Sequence, residues 1–92
     1  MSTKLKILEM GLRLWRVDPS YVTTRRIENE LEMSHGTVQY HFGGLTSLKN
    51  AIAYHAVKQG ESRVIVHLIT SKHPAVADLT EAERLEHFRL AH

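Results

Sequence analysis

Residues 23–48 contain two short apolar repeats that limit the folds open to this chain. Ile27 and Leu31 lie four residues apart, and so do Val38 and Phe42, which places each pair on one face of an α-helix. Glu32 and Met33 are expected to form a short turn between the two pairs, and two glycines follow the second pair. The segment therefore predicts two short helices joined by a tight turn, which is the layout of a helix-turn-helix.

The residues at the expected helix ends support this division. Thr23 or Thr24 can cap the first of the two helices, because a threonine hydroxyl accepts a hydrogen bond from an amide of the first turn. Ser34 is the expected cap of the second helix, which would comprise the residues SHGTVQYHF. The pair Gly43-Gly44 is expected to end that helix.

Further helical segments are predicted on both sides. The first helix is expected at Lys4–Arg16, with Trp15 in the core and its indole N–H bonded to a partner. A fourth helix is expected from about Thr46 to Gly60. The following RVIVHLIT is rich in β-branched residues and fits a strand or a helix; we favour a helix because no second strand candidate lies nearby. A capping box at residues 80–83 predicts a last helix.

These segments predict an all-α fold, in which a three-helix helix-turn-helix bundle is extended by two or three C-terminal helices. We expect residues 1–71 to form that domain with its long fourth helix, and residues 72–92 to form a linker and a C-terminal helix. A chain this short has a thin stability margin, so we expect a homodimer. The candidate dimer surfaces are the run VIVHLI and the face of Leu79, Leu85 and Phe88; the alternative for both is an intrachain core.

The composition excludes several classes of site and location. The chain has no cysteine, so disulfides, thiolate metal sites and thiol nucleophiles are excluded. Its N-terminal segment has no uncharged apolar stretch with a cleavage site, so no signal peptide is expected. The longest apolar run is too short to cross a bilayer. We therefore expect a cytoplasmic, nucleoid-associated protein without membrane contact.

The charge distribution favours a polyanionic partner. The net charge is only +2, but no acidic residue occurs between Glu32 and Glu61, and Arg25 and Arg26 stand just upstream. A polyanion would meet less repulsion along this stretch than elsewhere. The alternatives are that the acid-free stretch arose by chance and that the two arginines balance nearby glutamates.

The segment TTRRIENELEMSHGTVQYHF resembles the DNA-binding head of the TetR-type transcriptional regulators. The resemblance lies in a Thr-rich cap, a Ser-x-Gly-Thr-aliphatic stretch and a closing His-Phe pair. The upstream KILEMGLRLW is similar to the first helix of the family, so the likeness covers roughly residues 4–55. It implies sequence-specific binding of double-stranded DNA and a role as a transcriptional regulator, by expectation a repressor.

The resemblance also implies which residues contact DNA. The start of the first motif helix, the front and outer face of the second, and the following helix would supply them. A helix fits the major groove, where its N-terminal residues reach the base edges. We also expect the free backbone amides at the start of the second helix to bind phosphate oxygens. The implied DNA-binding residues are Thr24, Arg25, Ser34, His35, Gly36, Thr37, Gln39, Tyr40, His41 and Lys49.

Several features depart from the family. Leu45 stands where a lysine often binds phosphate, and Gln39 and Tyr40 reverse the usual order of the aromatic and the variable residue. Glu28 and Glu32 stand where the family favours a small residue and a glycine. We expect a glutamate at these positions to point outward or to force the helices apart. The family also carries a ligand-binding and dimerisation domain of well over a hundred residues, whereas about forty residues follow here. No small-molecule effector and no cofactor are therefore expected.

Other functions are weaker matches to the sequence. An enzyme needs an oriented nucleophile and base or a pair of carboxylates in a cleft, and no such set is apparent, so we predict no catalysis. The seven histidines show no HExxH spacing, and we predict no metal site. The main rival is a protein–protein interaction module that is derived from a helix-turn-helix and does not bind DNA.

Overall fold

The structure is a computed structural model that describes residues 1–91; residue 92, the last of the predicted C-terminal segment, lies outside that range. The described residues form six α-helices and two 3₁₀ turns, Pro19–Tyr21 and Pro74–Val76, and no β-strand. The prediction of an all-α fold is confirmed. The helices are α1 (Thr3–Val17), α2 (Thr24–Glu30), α3 (Thr37–Phe42), α4 (Leu45–Gln59), α5 (Ser62–Thr70) and α6 (Glu81–Leu90).

Contacts divide the chain into two compact units, Met1–Ile52 and the residues from Ala53 onward. The buried apolar residues of the first unit are Ile7, Leu12, Leu14, Trp15, Val22, Ile27, Val38, Leu48 and Ile52. Those of the second unit are Ala53, Ala56, Val64, Ile65, Leu68 and Val76. A contact unit is not by itself an independently folding domain, so the boundary expected after residue 71 stays a prediction.

Helix α1 lies very close to α4 at one glycine. Ser2 caps α1 by accepting a hydrogen bond from the Leu5 amide at 3.1 Å. A Cβ atom added to Gly11 would lie 2.8 Å from Cγ1 of Ile52, and Ile52 is fully buried. The absence of a side chain at residue 11 therefore permits this close approach. Trp15 is buried as expected, but its Nε1–H has no partner among the described residues, so the predicted hydrogen bond is wrong.

Three helix ends agree with the local sequence signals. Thr23 caps α2, because its hydroxyl accepts a hydrogen bond from the Arg26 amide at 3.1 Å. Gly43 ends α3 in a left-handed conformation, with φ of 84°, as predicted from the glycine pair. Gly60 follows the end of α4 with φ of 68°. The fourth helix begins at Leu45, one residue before the predicted start.

The ambiguous segment RVIVHLIT is helical and belongs to α5, as we favoured. Val64, Ile65 and Leu68 from this segment are buried within the single chain. They are therefore not available as a dimer surface, and that part of the expected interface is wrong. The intrachain core, which was the alternative, is the one observed for these three residues.

Helix α6 begins with the predicted capping box. The Thr80 hydroxyl accepts from the Glu83 amide at 3.1 Å, and the Glu83 carboxylate accepts from the Thr80 amide at 2.8 Å. This backbone hydrogen bond from Thr80 is the largest cause of the lowered pKa of Glu83. The prediction of a capping box is confirmed.

The side of α6 that makes hydrogen bonds within the chain is polar. The Arg84 guanidinium donates to the carbonyl oxygens of Val76 and Leu79 at 2.7 and 3.2 Å, and His87 Nδ1 lies 2.9 Å from the Ser62 hydroxyl. The apolar side chains Leu85 and Phe88 are exposed. The alternative that these two side chains belong to an intrachain core is therefore wrong. Leu79, the third residue of the expected face, is half-buried.

Candidate nucleic-acid interface

The start of α2 carries the first group of predicted contacts. Thr24 is the first helical residue and is half-buried, and Arg25 follows it in the first turn with its side chain exposed. The Arg26 guanidinium lies over the Tyr21 ring, 4.7 Å from the ring centroid, in a cation–π contact. Beside Arg25 and Arg26 lies an open depression of about 330 Å³ whose lining is mainly polar.

The turn between α2 and α3 is longer than predicted. Ser34 is exposed and does not cap α3 through its side chain. Instead, α3 begins at Thr37, and Gly36 stands before it with φ of 95°. Ser34 and His35 therefore lie in the turn and not at the front of the helix, which corrects the expected start. The reason is that Gly36 adopts a left-handed conformation, which an α-helix does not continue through.

Glu28 lies at the junction of α2 and α3. Of the two expected outcomes, the outward side chain is wrong. Its exposed fraction is 3%, and its Oε2 accepts hydrogen bonds from the amides of Gly36 at 2.9 Å and Val38 at 3.1 Å. Its Oε1 lies 4.0 Å from Nδ1 of His35. The side chain thus turns inward because unpaired amides at the helix start provide hydrogen-bond donors for it.

The amides at the start of α3 are consequently occupied within the chain. Gly36 and Val38 donate to Glu28, and the Thr37 amide donates to the Ser34 carbonyl oxygen at 3.1 Å. The Thr37 hydroxyl donates to the same oxygen at 2.8 Å. The expectation that free amides here bind phosphate is therefore wrong. These three amides are therefore not available to a phosphate group.

Helix α3 has one buried side and one exposed side. Val38 is fully buried, whereas Tyr40 is 85% exposed and Gln39 is also exposed. The Gln39 side-chain amide donates to the Gly43 carbonyl oxygen at 2.9 Å, which orients it along the end of the helix. His41 is half-buried and meets the edge of the Tyr40 ring, with 5.2 Å between the ring centroids.

The predicted contact residues all lie in the first compact unit. Arg25, His35, Gln39 and Tyr40 are exposed, and we refer to these four as the outer face. Lys49 is half-buried in the second turn of α4. The role of Glu28 was not predicted from the sequence, although one signal was present: a carboxylate at the helix crossing needs an internal donor if it is to be buried.

Replacing Glu32 with glycine is expected to raise the free energy of unfolding by about 0.5–1 kcal/mol. Glu32 has φ of 54°, a left-handed conformation in which a Cβ atom is strained and glycine is not. Urea unfolding followed by the fluorescence of Trp15, the only tryptophan, measures the change. Glu32→Ala is the matched control, because it removes the same charge but keeps a Cβ atom. Equal gains in both variants would assign the effect to charge and contradict the prediction.

No helix of residues 1–91 has the length and apolar character needed to cross a membrane. Over the same range, no group of three or more histidine, aspartate or glutamate side chains is placed to hold a metal ion. Comparisons of the chain with protein-family models, with curated proteins and with solved structures gave no significant match.

Proposed function

We propose that α2, the following turn and α3 act as a helix-turn-helix that binds double-stranded DNA in a sequence-specific manner. The proposal rests on one observation: each of the two helices has a buried apolar side and an exposed side that carries hydrogen-bonding groups. Ile27 and Val38 are fully buried, while the outer face of Arg25, His35, Gln39 and Tyr40 is exposed. Exposed donors on a helix pair that is held by an apolar core are what base recognition requires.

In this proposal α3 lies in the major groove and recognises bases through side chains. Gln39 pairs with adenine and Arg25 with guanine, because each can form two hydrogen bonds to a base edge. Gln39 must exchange its hydrogen bond to the Gly43 carbonyl for one to the base. Lys49 and the Tyr40 hydroxyl contact phosphates, because both carry hydrogen-bond donors. The amides of Gly36 and Val38 are already bonded to Glu28. The remaining predicted contact residues Ser34, Thr37 and His41 lie close to residues of the outer face in the sequence.

The biological role that fits these contacts is transcriptional regulation in the cytoplasm, as the resemblance to the TetR-type regulators implies. A homodimer would place two copies of α3 about 34–36 Å apart, which is one turn of the duplex. The exposed Leu85 and Phe88 of α6 are the surface that remains available for such a dimer. No small-molecule effector is part of this proposal.

Selection of binding sites from random duplexes tests the proposal. We expect enrichment of a palindromic site, because a twofold dimer reads two inverted half-sites. Affinity for the selected duplex should fall steeply as salt is raised, with each phosphate contact adding about 0.9 to the logarithmic slope. Failure to enrich any sequence, together with no salt-dependent binding, would reject DNA as the partner.

A protein-docking module is the second candidate, and two observations favour it. Tyr40, which belongs to the outer face, and Leu45 are 85% and 42% exposed, so this helix pair and the start of α4 present apolar surface as well as polar groups. Glu28 also places a carboxylate at the start of α3, where phosphate would otherwise be attracted. A protein partner whose affinity is the same at low and high salt would favour this candidate over DNA.

Alanine variants separate base recognition from phosphate contact. Arg25→Ala and Gln39→Ala are each expected to weaken binding to the selected site about tenfold and binding to random duplex much less, because they lose base contacts. Lys49→Ala is expected to weaken both about equally and to reduce the salt slope by about 1. Fluorescence anisotropy at several salt concentrations measures both quantities.

The control for these variants is Arg13→Ala, which removes an exposed cation from α1, outside the helix pair. It is expected to leave binding to both duplexes within about twofold of the unchanged chain. If Arg25→Ala, Gln39→Ala and Lys49→Ala all behave like Arg13→Ala, the assignment of the outer face to DNA is wrong.

A further inference from the structure

The Glu28 side chain connects helix α2 to the start of helix α3. It extends from α2, and its Oε2 accepts from the amides of Gly36 and Val38, eight and ten residues further along the chain. At 3% exposure it is the only buried charged residue among the described residues. A carboxylate is stable in a buried position only where hydrogen-bond donors compensate for the loss of water. These two hydrogen bonds therefore account for the burial of Glu28.

No other side chain of residues 1–91 caps the start of helix α3. Gly36, the residue before its first turn, has no side chain, and the Ser34 side chain forms no capping bond. A helix of six residues is too short to be stable through its own hydrogen bonds, so its position depends on contacts to the rest of the unit. Glu28 supplies the cap that such a helix start normally takes from its own sequence.

We infer that Glu28 is a positioning residue, which fixes the start of α3 against α2 and thereby sets the orientation of the outer face. This inference rests on the proposed function only for its effect on DNA recognition. Because base discrimination requires donors to be held at fixed positions, loss of the cap lowers the preference for one site over others. The contacts that confer general affinity, such as Lys49 to phosphate, depend less on the cap.

Two substitutions separate the cap from its charge. In Glu28→Gln, the side-chain oxygen can take the place of Oε2 and accept from both amides, while the negative charge is removed. In Glu28→Ala, the acceptors and the charge are both removed. Glu30→Ala is the matched control, because it removes an exposed acid from the same helix. Only Glu28→Ala loses the cap.

Amide hydrogen exchange in the full chain, measured by NMR, tests the cap without DNA. We expect the amides of Gly36 and Val38 to exchange at least tenfold faster in Glu28→Ala, relative to the Ile52 amide of the same sample. The ratio to Ile52 removes any general loss of stability. Glu28→Gln and Glu30→Ala are expected to stay within about threefold of the unchanged chain. No local acceleration in Glu28→Ala would overturn the inference.

The ratio of affinities for the selected site and for random duplex tests the effect on recognition. We expect this ratio to fall about tenfold in Glu28→Ala and to be retained in Glu28→Gln and Glu30→Ala. Faster exchange with an unchanged ratio would show that Glu28 holds α3 but does not set its specificity, and would overturn the inference. If the unchanged chain binds no duplex, the proposed function fails, while the exchange result still decides whether Glu28 positions α3.

Discussion

Ile52→Ala is expected to lower the free energy of unfolding by about 3–4 kcal/mol. The Ile52 side chain extends from α4, is fully buried and packs against Gly11 of α1. Its removal therefore leaves a cavity in addition to the lost apolar burial. A small domain has a total stability of only about 5–15 kcal/mol, so this loss is a large part of it. Urea unfolding followed by Trp15 fluorescence and circular dichroism measures the change. Ile69→Ala, at a half-buried position, is the control and should cost less.

A double-mutant cycle with Gly11 identifies the cause. Gly11→Ala alone is expected to cost about 1–2 kcal/mol, because the new Cβ collides with Ile52 although alanine favours helix. In the double variant the collision partner is absent, and the Cβ of residue 11 occupies part of the cavity. The double variant should therefore be no less stable than Ile52→Ala. Additive losses would contradict a direct contact between the two residues.

Arg84→Met is expected to lower the free energy of unfolding by about 1.5–3 kcal/mol, because the guanidinium donates to two carbonyl oxygens in the connection between α5 and α6. Methionine keeps much of the apolar stem but donates nothing. Arg84→Lys should lose most of the same stability, since an ammonium lacks the planar fork that reaches both oxygens. Thermal unfolding followed by circular dichroism measures these losses.

The control for Arg84 is Arg89→Met in the same helix. The exposed Arg89 pairs with Glu86 one turn earlier, and that carboxylate raises the pKa of the guanidinium. Exposed pairs of this kind contribute little to stability, so the control should unfold close to the unchanged chain. A stable Arg84→Lys variant would show that charge, and not the two-carbonyl contact, is what matters.

Local signals predicted several of the helix boundaries. Thr23, Gly43 and the Thr80–Glu83 box each act within four residues of their own position, so the sequence alone identifies their roles. The helical state of α5 was predicted despite its β-branched residues, because a strand would have lacked a partner. These features required no knowledge of how distant segments meet.

The errors concern contacts between segments. Ser34 is a common cap by residue type, but the left-handed Gly36 moves the start of α3 beyond it. The inward position of Glu28 depends on a hydrogen bond across eight residues, which no local pattern specifies. In α6 the sequence indicated which apolar residues share a face. The side of α6 that forms hydrogen bonds within the chain is instead the one with Arg84 and His87, because their polar atoms have partners in the preceding segments.

The left-handed backbone at Glu32 has a consequence for laboratory evolution. Both glutamate codons become glycine codons through a change of their middle base. The relief of strain expected at this position is therefore accessible by one point mutation. A mutant library of the chain, screened for survival after heating, should be enriched in glycine at residue 32 in its first rounds.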